Sequence, residues 1–230
     1  MFSGFDFDVI QRSLPYLWQG MLFSLGLTLL AMAGGIVLGT LLALMRLSHS
    51  LLLSVPAGGY VNLLRSTPLI LVIFWFYFLL PIAVKKITGD PYAQGLGPFN
   101  SALIAFTMFE AAYYCEIIRA GIQSVPRGQV YAAYALGLTY AQAMTKVILP
   151  QAFRNMIPIL LTQGIILFQD TSLVYVVGLT DFMGAASKVA QRDGRLVEMY
   201  LFAAVIYFVL CYFASHFVKR LQARYNVGRA

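Results

Sequence analysis

Long apolar runs without charge alternate with short charged stretches along this chain of 230 residues. No Asp, Glu, Lys or Arg occurs from Ser13 to Met45, from Ser66 to Val84, from Pro91 to Phe109, from Asn155 to Gln169, or from Met199 to Val218. A helix needs about 20 mostly apolar residues to cross the hydrocarbon core of a bilayer. Five helical spans are therefore predicted, over about 19–45, 60–80, 99–120, 153–177 and 199–218. The runs are too long for barrel strands and do not alternate. The expected fold class is all-α: a polytopic membrane protein with five transmembrane helices, forming a single transmembrane domain over residues 1–230.

Between the spans the pattern changes. Residues 1–16, with Phe2, Phe5, Asp6, Phe7, Asp8 and Arg12, read as an interfacial lead-in that places Tyr16 and Trp18 at headgroup level. Residues 50–65 are apolar but broken by Pro56, Gly58 and Gly59, and read as a turn at the membrane surface. Thr67-Pro68 then has the form of a helix start. Pro81 to Pro98 and the charged stretch 178–198 read as loops.

Gln129 to Ala152 fits neither class. Tyr131, Tyr134 and Leu138 fall at i, i+3 and i+7, beside a stripe of small residues four apart, Ala133, Gly137 and Ala141. This predicts a short surface helix, about 127–145, on which another backbone can lie close, with Pro150 ending the pattern.

Composition supports the membrane reading: 60% hydrophobic, 11% charged, mean hydropathy +0.77. Soluble domains carry roughly a quarter charged residues. Cys115 and Cys211 sit in apolar context and suggest neither a disulfide framework nor a metal site. The net charge of +7 comes from basic residues that flank spans, not from one patch, which argues against nucleic-acid binding. Arg46, Arg65, Arg119, Arg127, Lys146, Arg154, Lys219, Arg220, Arg224 and Arg229 fall on one side of the membrane; Arg12, Lys85, Lys86, Lys188, Arg192 and Arg195 fall on the other. The richer side is expected to be cytoplasmic, with the N-terminus outside, the C-terminus inside and the surface helix on the cytoplasmic face. A cleavable signal peptide is not expected, because the first apolar run starts late, is long and lacks a basic lead.

No Gly is followed by Lys, so a GxxxxGK[ST] phosphate loop is absent, and His49 and His216 stand alone. The expectation is a chain that is not itself an enzyme. Polar groups inside spans are costly and point to function. Three clusters qualify: Asn62, Arg65, Ser66 and Thr67; Glu110, Tyr113, Tyr114, Glu116 and Arg119; and Gln163 with the run Gln169-Asp170-Thr171-Ser172. Glu116 and Arg119, three apart, read as a structural pair. Arg65 next to the Thr67-Pro68 helix start suits a carboxylate ligand; the equal alternative is that it reaches out to lipid phosphate or neutralises a carboxylate of the chain.

Ala132, Ala133, Gly137 and Ile148-Leu149-Pro150 resemble the docking loop of ABC importer permeases, with Tyr131 where Glu is usual. Leu64-Arg65-Ser66-Thr67-Pro68-Leu69, Phe109-Glu110-Ala111-Ala112-Tyr113-Tyr114, Glu116-Ile117-Ile118-Arg119-Ala120-Gly121-Ile122 and Phe168-Gln169-Asp170-Thr171-Ser172-Leu173-Val174 are similar to the polar amino-acid branch of that family, nearest to members importing glutamate and aspartate. The resemblance implies a bacterial inner-membrane permease that works with a second homologous permease, ABC ATPase subunits and an extracytoplasmic amino-acid-binding protein. It implies no cofactor in this chain, with ATP and Mg on the partner ATPase. It places substrate near Arg65, Thr67, Glu110, Gln163, Gln169 and Asp170, and ATPase coupling at Ala132, Ala133, Gly137, Leu138 and Ala141. Arg65 suits an acidic substrate, while Glu110 and Asp170 argue for a cationic group unless each is paired. Other polar amino acids such as glutamine or a basic one remain open. So does an ion-coupled secondary carrier, which five spans without an inverted repeat fit poorly.

Overall fold

The computed structural model describes residues 6–89 and 95–226. Among them eight helices and no strand occur: α1 (Phe7–Leu47), α2 (Leu51–Arg65), α3 (Leu69–Thr88), α4 (Gly97–Gln123), α5 (Arg127–Ala135), α6 (Tyr140–Val177), α7 (Phe182–Asp193) and α8 (Leu196–Asn226). Five of them, α1, α3, α4, α6 and α8, are long and apolar enough to cross a membrane, matching the five expected spans.

Small residues set how the spans pack. A Cβ on Gly39 would lie 2.8 Å from Tyr114 Cβ and 2.9 Å from the Ala111 carbonyl, so α1 rests directly on the backbone of α4. Gly35, one turn earlier, faces Glu110 and Tyr114 in the same way. Ala31 and Ala43 of α1 and Ala102, Ala105, Ala111 and Ala112 of α4 are fully buried along this contact. Gly20 gives α1 a second close approach, where a Cβ would lie 2.7 Å from the Asp181 carbonyl at the start of α7. Two buried clusters result. One joins α1 to α2, α3, α4 and part of α6. The other joins α1 to α6, α7 and α8.

Four expectations change. The lead-in is helix from Phe7, capped by Asp6, whose Oδ1 accepts from the Asp8 amide at 2.9 Å. At 1.5 Å per residue, the 41 residues of α1 give about 60 Å of helix, far more than a bilayer core requires. Residues 51–65 form helix α2 rather than a turn. Its Ala57, Val61 and Leu64 are buried on one face, and Tyr60 OH donates to the Met108 carbonyl of α4 at 2.8 Å. This packing outweighs the low helix propensity of Gly58 and Gly59. Thr67-Pro68 does precede a helix, α3, but that helix continues past Leu80 and carries Lys85 and Lys86 in its last turn. Its Trp75–Leu79 segment widens into a π turn. The stretch 178–198 is mostly helix: Asp181 caps α7 by accepting from the Met183 and Gly184 amides, each at 2.9 Å. Phe182, Ala185, Ala186, Val189 and Ala190 form its buried apolar face. The rest of the expected loop (90–94), together with Phe2, Phe5 and Arg229, lies outside the described residues.

Candidate functional site

Two polar layers are built on α4. In the first, Glu110 is fully buried, and its Oε1 accepts from Gln163 Nε2 of α6 at 3.2 Å. Its Oε2 has no hydrogen-bond partner among the described residues, nor does the buried Tyr114 hydroxyl one turn on. Asp170 lies seven residues beyond Gln163, on the same face of α6. A layer with a buried carboxylate, an amide and a second carboxylate is suited to hold an ammonium group. Asp170 ends the α-helical part of α6, and Thr171–Val177 continues as a tighter 3₁₀ turn. The run of polar residues thus falls where the backbone changes pitch.

In the second layer Glu116 gathers arginines from three helices. Arg46 of α1 pairs with Oε1. Arg119 Nη2 donates to Oε2 at 2.7 Å, and its Nε donates at 3.2 Å. Arg65, at the end of α2, stands 3.9 Å from Oε1, with its guanidinium 5.5 Å from the centre of the Tyr113 ring. Three cations share one carboxylate, so the layer keeps a net positive charge. Glu116 and Arg119 do form the expected structural pair. Arg46 is the member that sequence reasoning missed.

The six candidate substrate residues therefore divide. Glu110 and Gln163 come together, with Asp170 on the same face of α6 about 10 Å of helix further on. Arg65 belongs to the Glu116 layer, six residues along α4 or about 9 Å of helix. Thr67 donates its hydroxyl to the Leu63 carbonyl at 2.8 Å and so helps end α2. Gln169 is exposed. No group of three His, Cys, Asp or Glu side chains suited to a metal occurs among the described residues.

The tract 127–145 differs from the continuous helix expected. Helix α5 ends at Ala135, and Gly137 has φ +77°, the left-handed conformation that glycine adopts readily. Leu138 N donates to the Ala133 carbonyl at 3.1 Å and Gly137 N to Tyr134 at 2.9 Å, a Schellman stop. Thr139 and Gln142 then form a capping box that starts α6. Pro150 lies inside the continuing helix and does not end it. The small-residue stripe is therefore interrupted at Gly137: Ala133 is buried, Leu138 is half-buried, and Ala132, Gly137 and Ala141 are exposed. Around them Tyr131, Leu136 and Tyr140 project, each at least 65% exposed. This is a knuckle of two short helical segments with aromatic and aliphatic side chains outward.

Residues 35–227 match the family described as the inner membrane component of binding-protein-dependent transport systems. The chain belongs to this family. It is 52% identical over 225 residues to the glutamate/aspartate import permease protein GltK of Escherichia coli O157:H7, covering 96% of this chain and 98% of the relative. It is 36% identical to the L-cystine transport system permease protein TcyB of Bacillus subtilis strain 168, covering 97% and 94%. A crystal structure of an amino acid ABC transporter with histidines superposes with a TM-score of 0.86 at 32% identity, covering 95% of this chain and 98% of that one. As a member, the chain is a multi-pass inner-membrane component of such a transport system, its transmembrane part and not its ATPase.

Proposed function

We propose that this chain is the permease subunit of an ATP-driven importer of glutamate and aspartate. Residues 1–230 form its one transmembrane domain. It pairs with a second, homologous permease. ABC ATPase subunits, which bind ATP and Mg, dock on the cytoplasmic knuckle around Ala132, Ala133, Gly137, Leu138 and Ala141. An extracytoplasmic binding protein delivers the amino acid on the opposite face. The N-terminus lies outside and the C-terminus in the cytoplasm, as the distribution of Lys and Arg favours.

The observation that carries the substrate class is the 52% identity to GltK along nearly the whole of both chains. The geometry supports a division of labour. Glu110, Gln163 and Asp170 receive the α-ammonium group that every amino acid carries. Arg65, which makes no hydrogen bond among the described residues, receives a carboxylate on the way to the cytoplasm, with Thr67 and Gln169 at the borders of the path. The arrangement of Arg46, Arg65 and Arg119 around Glu116 fits the sidedness reading, because all three come from the side with more basic residues.

Uptake of labelled glutamate by cells with and without this gene tests the proposal, with unlabelled aspartate, glutamine and arginine as competitors. Loss of uptake with competition by aspartate alone is expected. Unchanged glutamate uptake in the deleted strain overturns the acidic assignment.

A further inference from the structure

Away from both polar layers, a groove of about 810 Å³ opens between α1, α6 and α8, floored in part by α7. Its walls are Leu14, Trp18, Leu25 and Leu29 of α1 on one side and Ile206 and Leu210 of α8 on the other. No charged residue lines it. Thr28, which does, donates its hydroxyl to the Ser24 carbonyl at 2.8 Å. Sites for polar small molecules carry a few convergent polar groups; this groove offers none, and hydrocarbon is what it accommodates.

Two occupants offer hydrocarbon: a transmembrane helix or a lipid chain. Close helix packing in a membrane relies on small residues at the contact. Of the small residues at hand, Gly20, Gly35 and Gly39 of α1 are already packed against α7 and α4; Gly164, in the groove wall, is covered by Met32, whose Sδ lies 3.1 Å from where a Cβ would sit; and Ala214 and the open Gly26 stand singly among bulky neighbours. What α1 presents at the groove's rim is bulky: Trp18, Leu25 and Leu29 are 60%, 41% and 61% exposed. The groove runs from Leu14 to Met32 along α1, 18 residues or about 27 Å of helix, which is room for an extended acyl chain.

Charge at one end favours the lipid. Arg12, two residues before Leu14, donates to Asp193 Oδ2 at 3.3 Å. Arg192 donates to the same carboxylate, to Oδ1 at 2.8 Å and to Oδ2 at 2.9 Å. Two guanidiniums thus share one carboxylate, and both stay more than half exposed. Trp18 lies six residues from Arg12, about 9 Å along the helix, as in the aromatic belt at headgroup depth. We propose that this groove holds an acyl chain of a phospholipid, on the side of the membrane where α7 lies, with its phosphate against Arg12 and Arg192.

The chain has two tryptophans, Trp18 and Trp75. Trp75→Phe therefore leaves Trp18 as this chain's fluorescent reporter inside the groove. The complex carrying Trp75→Phe is assembled from partner chains whose tryptophans are replaced by Phe and is placed in nanodiscs with a minor fraction of phospholipid brominated on its acyl chains. Preferential occupancy predicts Trp18 quenching about twofold or more above that expected from the bulk lipid fraction. Ala214→Phe, which fills the groove, is expected to return quenching to the bulk value. So is Arg12→Gln combined with Arg192→Gln, which leaves the groove open but removes the phosphate contacts. Quenching at the bulk fraction before any filling mutation overturns the proposal, as does a partner helix that shields Trp18 from brominated lipid. If Ala214→Phe does not assemble, native mass spectrometry of the unaltered complex after detergent exchange decides. A retained phospholipid mass, lost with the paired arginine substitutions, supports the site; a lipid-free complex overturns it.

Discussion

Gln163 donates its side-chain amide to Glu110 across 3.2 Å, tying the middle of α6 to a fully buried carboxylate on α4. The bond uses one carboxylate oxygen and leaves the other without a partner among the described residues. A carboxyl group held this way inside a span is costly to ionise, and a cationic ligand offsets that cost when it arrives. Glu110→Gln keeps an oxygen to accept from Gln163 but removes the charge. Charge-assisted hydrogen bonds contribute about 1.5–3 kcal/mol, so substrate uptake is expected to fall roughly 10- to 100-fold. Assembly, followed by co-purification with the ATPase, is expected to persist. Unchanged uptake by Glu110→Gln would make the carboxylate structural.

Glu116 holds Arg46, Arg119 and, more loosely, Arg65, so it links α1, α2 and α4. Glu116→Gln leaves three partly exposed cations facing one another. Allowing for solvent screening, the loss is roughly 2 kcal/mol, read as a lower melting temperature of the purified complex. Arg46→Gln is expected to cost less, because Arg119 still neutralises the carboxylate. A double-mutant cycle for Glu116 and Arg46 measures their coupling, and a coupling near zero would show that the pair does not hold the helices together.

The five spans were legible because the bilayer enforces them: a crossing helix must be a long run without charge. Helices α2 and α7 were not. In α2 the glycines and proline argue locally for a turn, and only the contacts of Ala57, Val61 and Tyr60 make it helical. In α7 the charges of Lys188, Arg192 and Asp193 hid a buried apolar face whose spacing was there to be read. The polar run at Asp170 and the buried Glu110 were visible as a cluster, since polar residues stand out in apolar spans. Arg65, grouped with them in the sequence, stands beside Glu116 about 9 Å further along α4, because sequence order cannot say how far along α4 a neighbouring helix ends. The signal for the Glu116 layer was the excess of arginine over carboxylate at three span ends.

Gly39 tests the packing of α1. Its absent side chain lets Tyr114 Cβ and the Ala111 carbonyl approach to where a Cβ would sit at 2.8 and 2.9 Å. Backbone cannot yield as a flexible side chain can, so Gly39→Val pushes α1 off α4. Overpacking of this kind costs about 1–3 kcal/mol, enough to reduce the yield of assembled complex. Gly26, where a Cβ would meet nothing within 4 Å, serves as the control, and Gly26→Val is expected to leave the yield unchanged. Equal yields for the two variants would contradict the close α1–α4 contact.

Gly137 separates a stop signal from a smooth docking stripe. Its φ of +77° places it in the left-handed region, and a Cβ there would have no neighbour within 4 Å. Space is therefore not the constraint; backbone conformation is. Gly137→Ala costs about 1–2 kcal/mol through the left-handed strain alone, loosening the junction of α5 and α6. Gly137→Asn, which tolerates that conformation, is expected to retain most of the stability. If the knuckle docks on an ATPase, the readout is ATP hydrolysis stimulated by the substrate-loaded binding protein. Stimulation should fall with Gly137→Ala and largely return with Gly137→Asn. A stripe that must stay smooth predicts the opposite order, since Asn is the bulkier residue. Greater loss with Asn than with Ala would show that the partner's surface, and not the turn, sets the requirement for glycine.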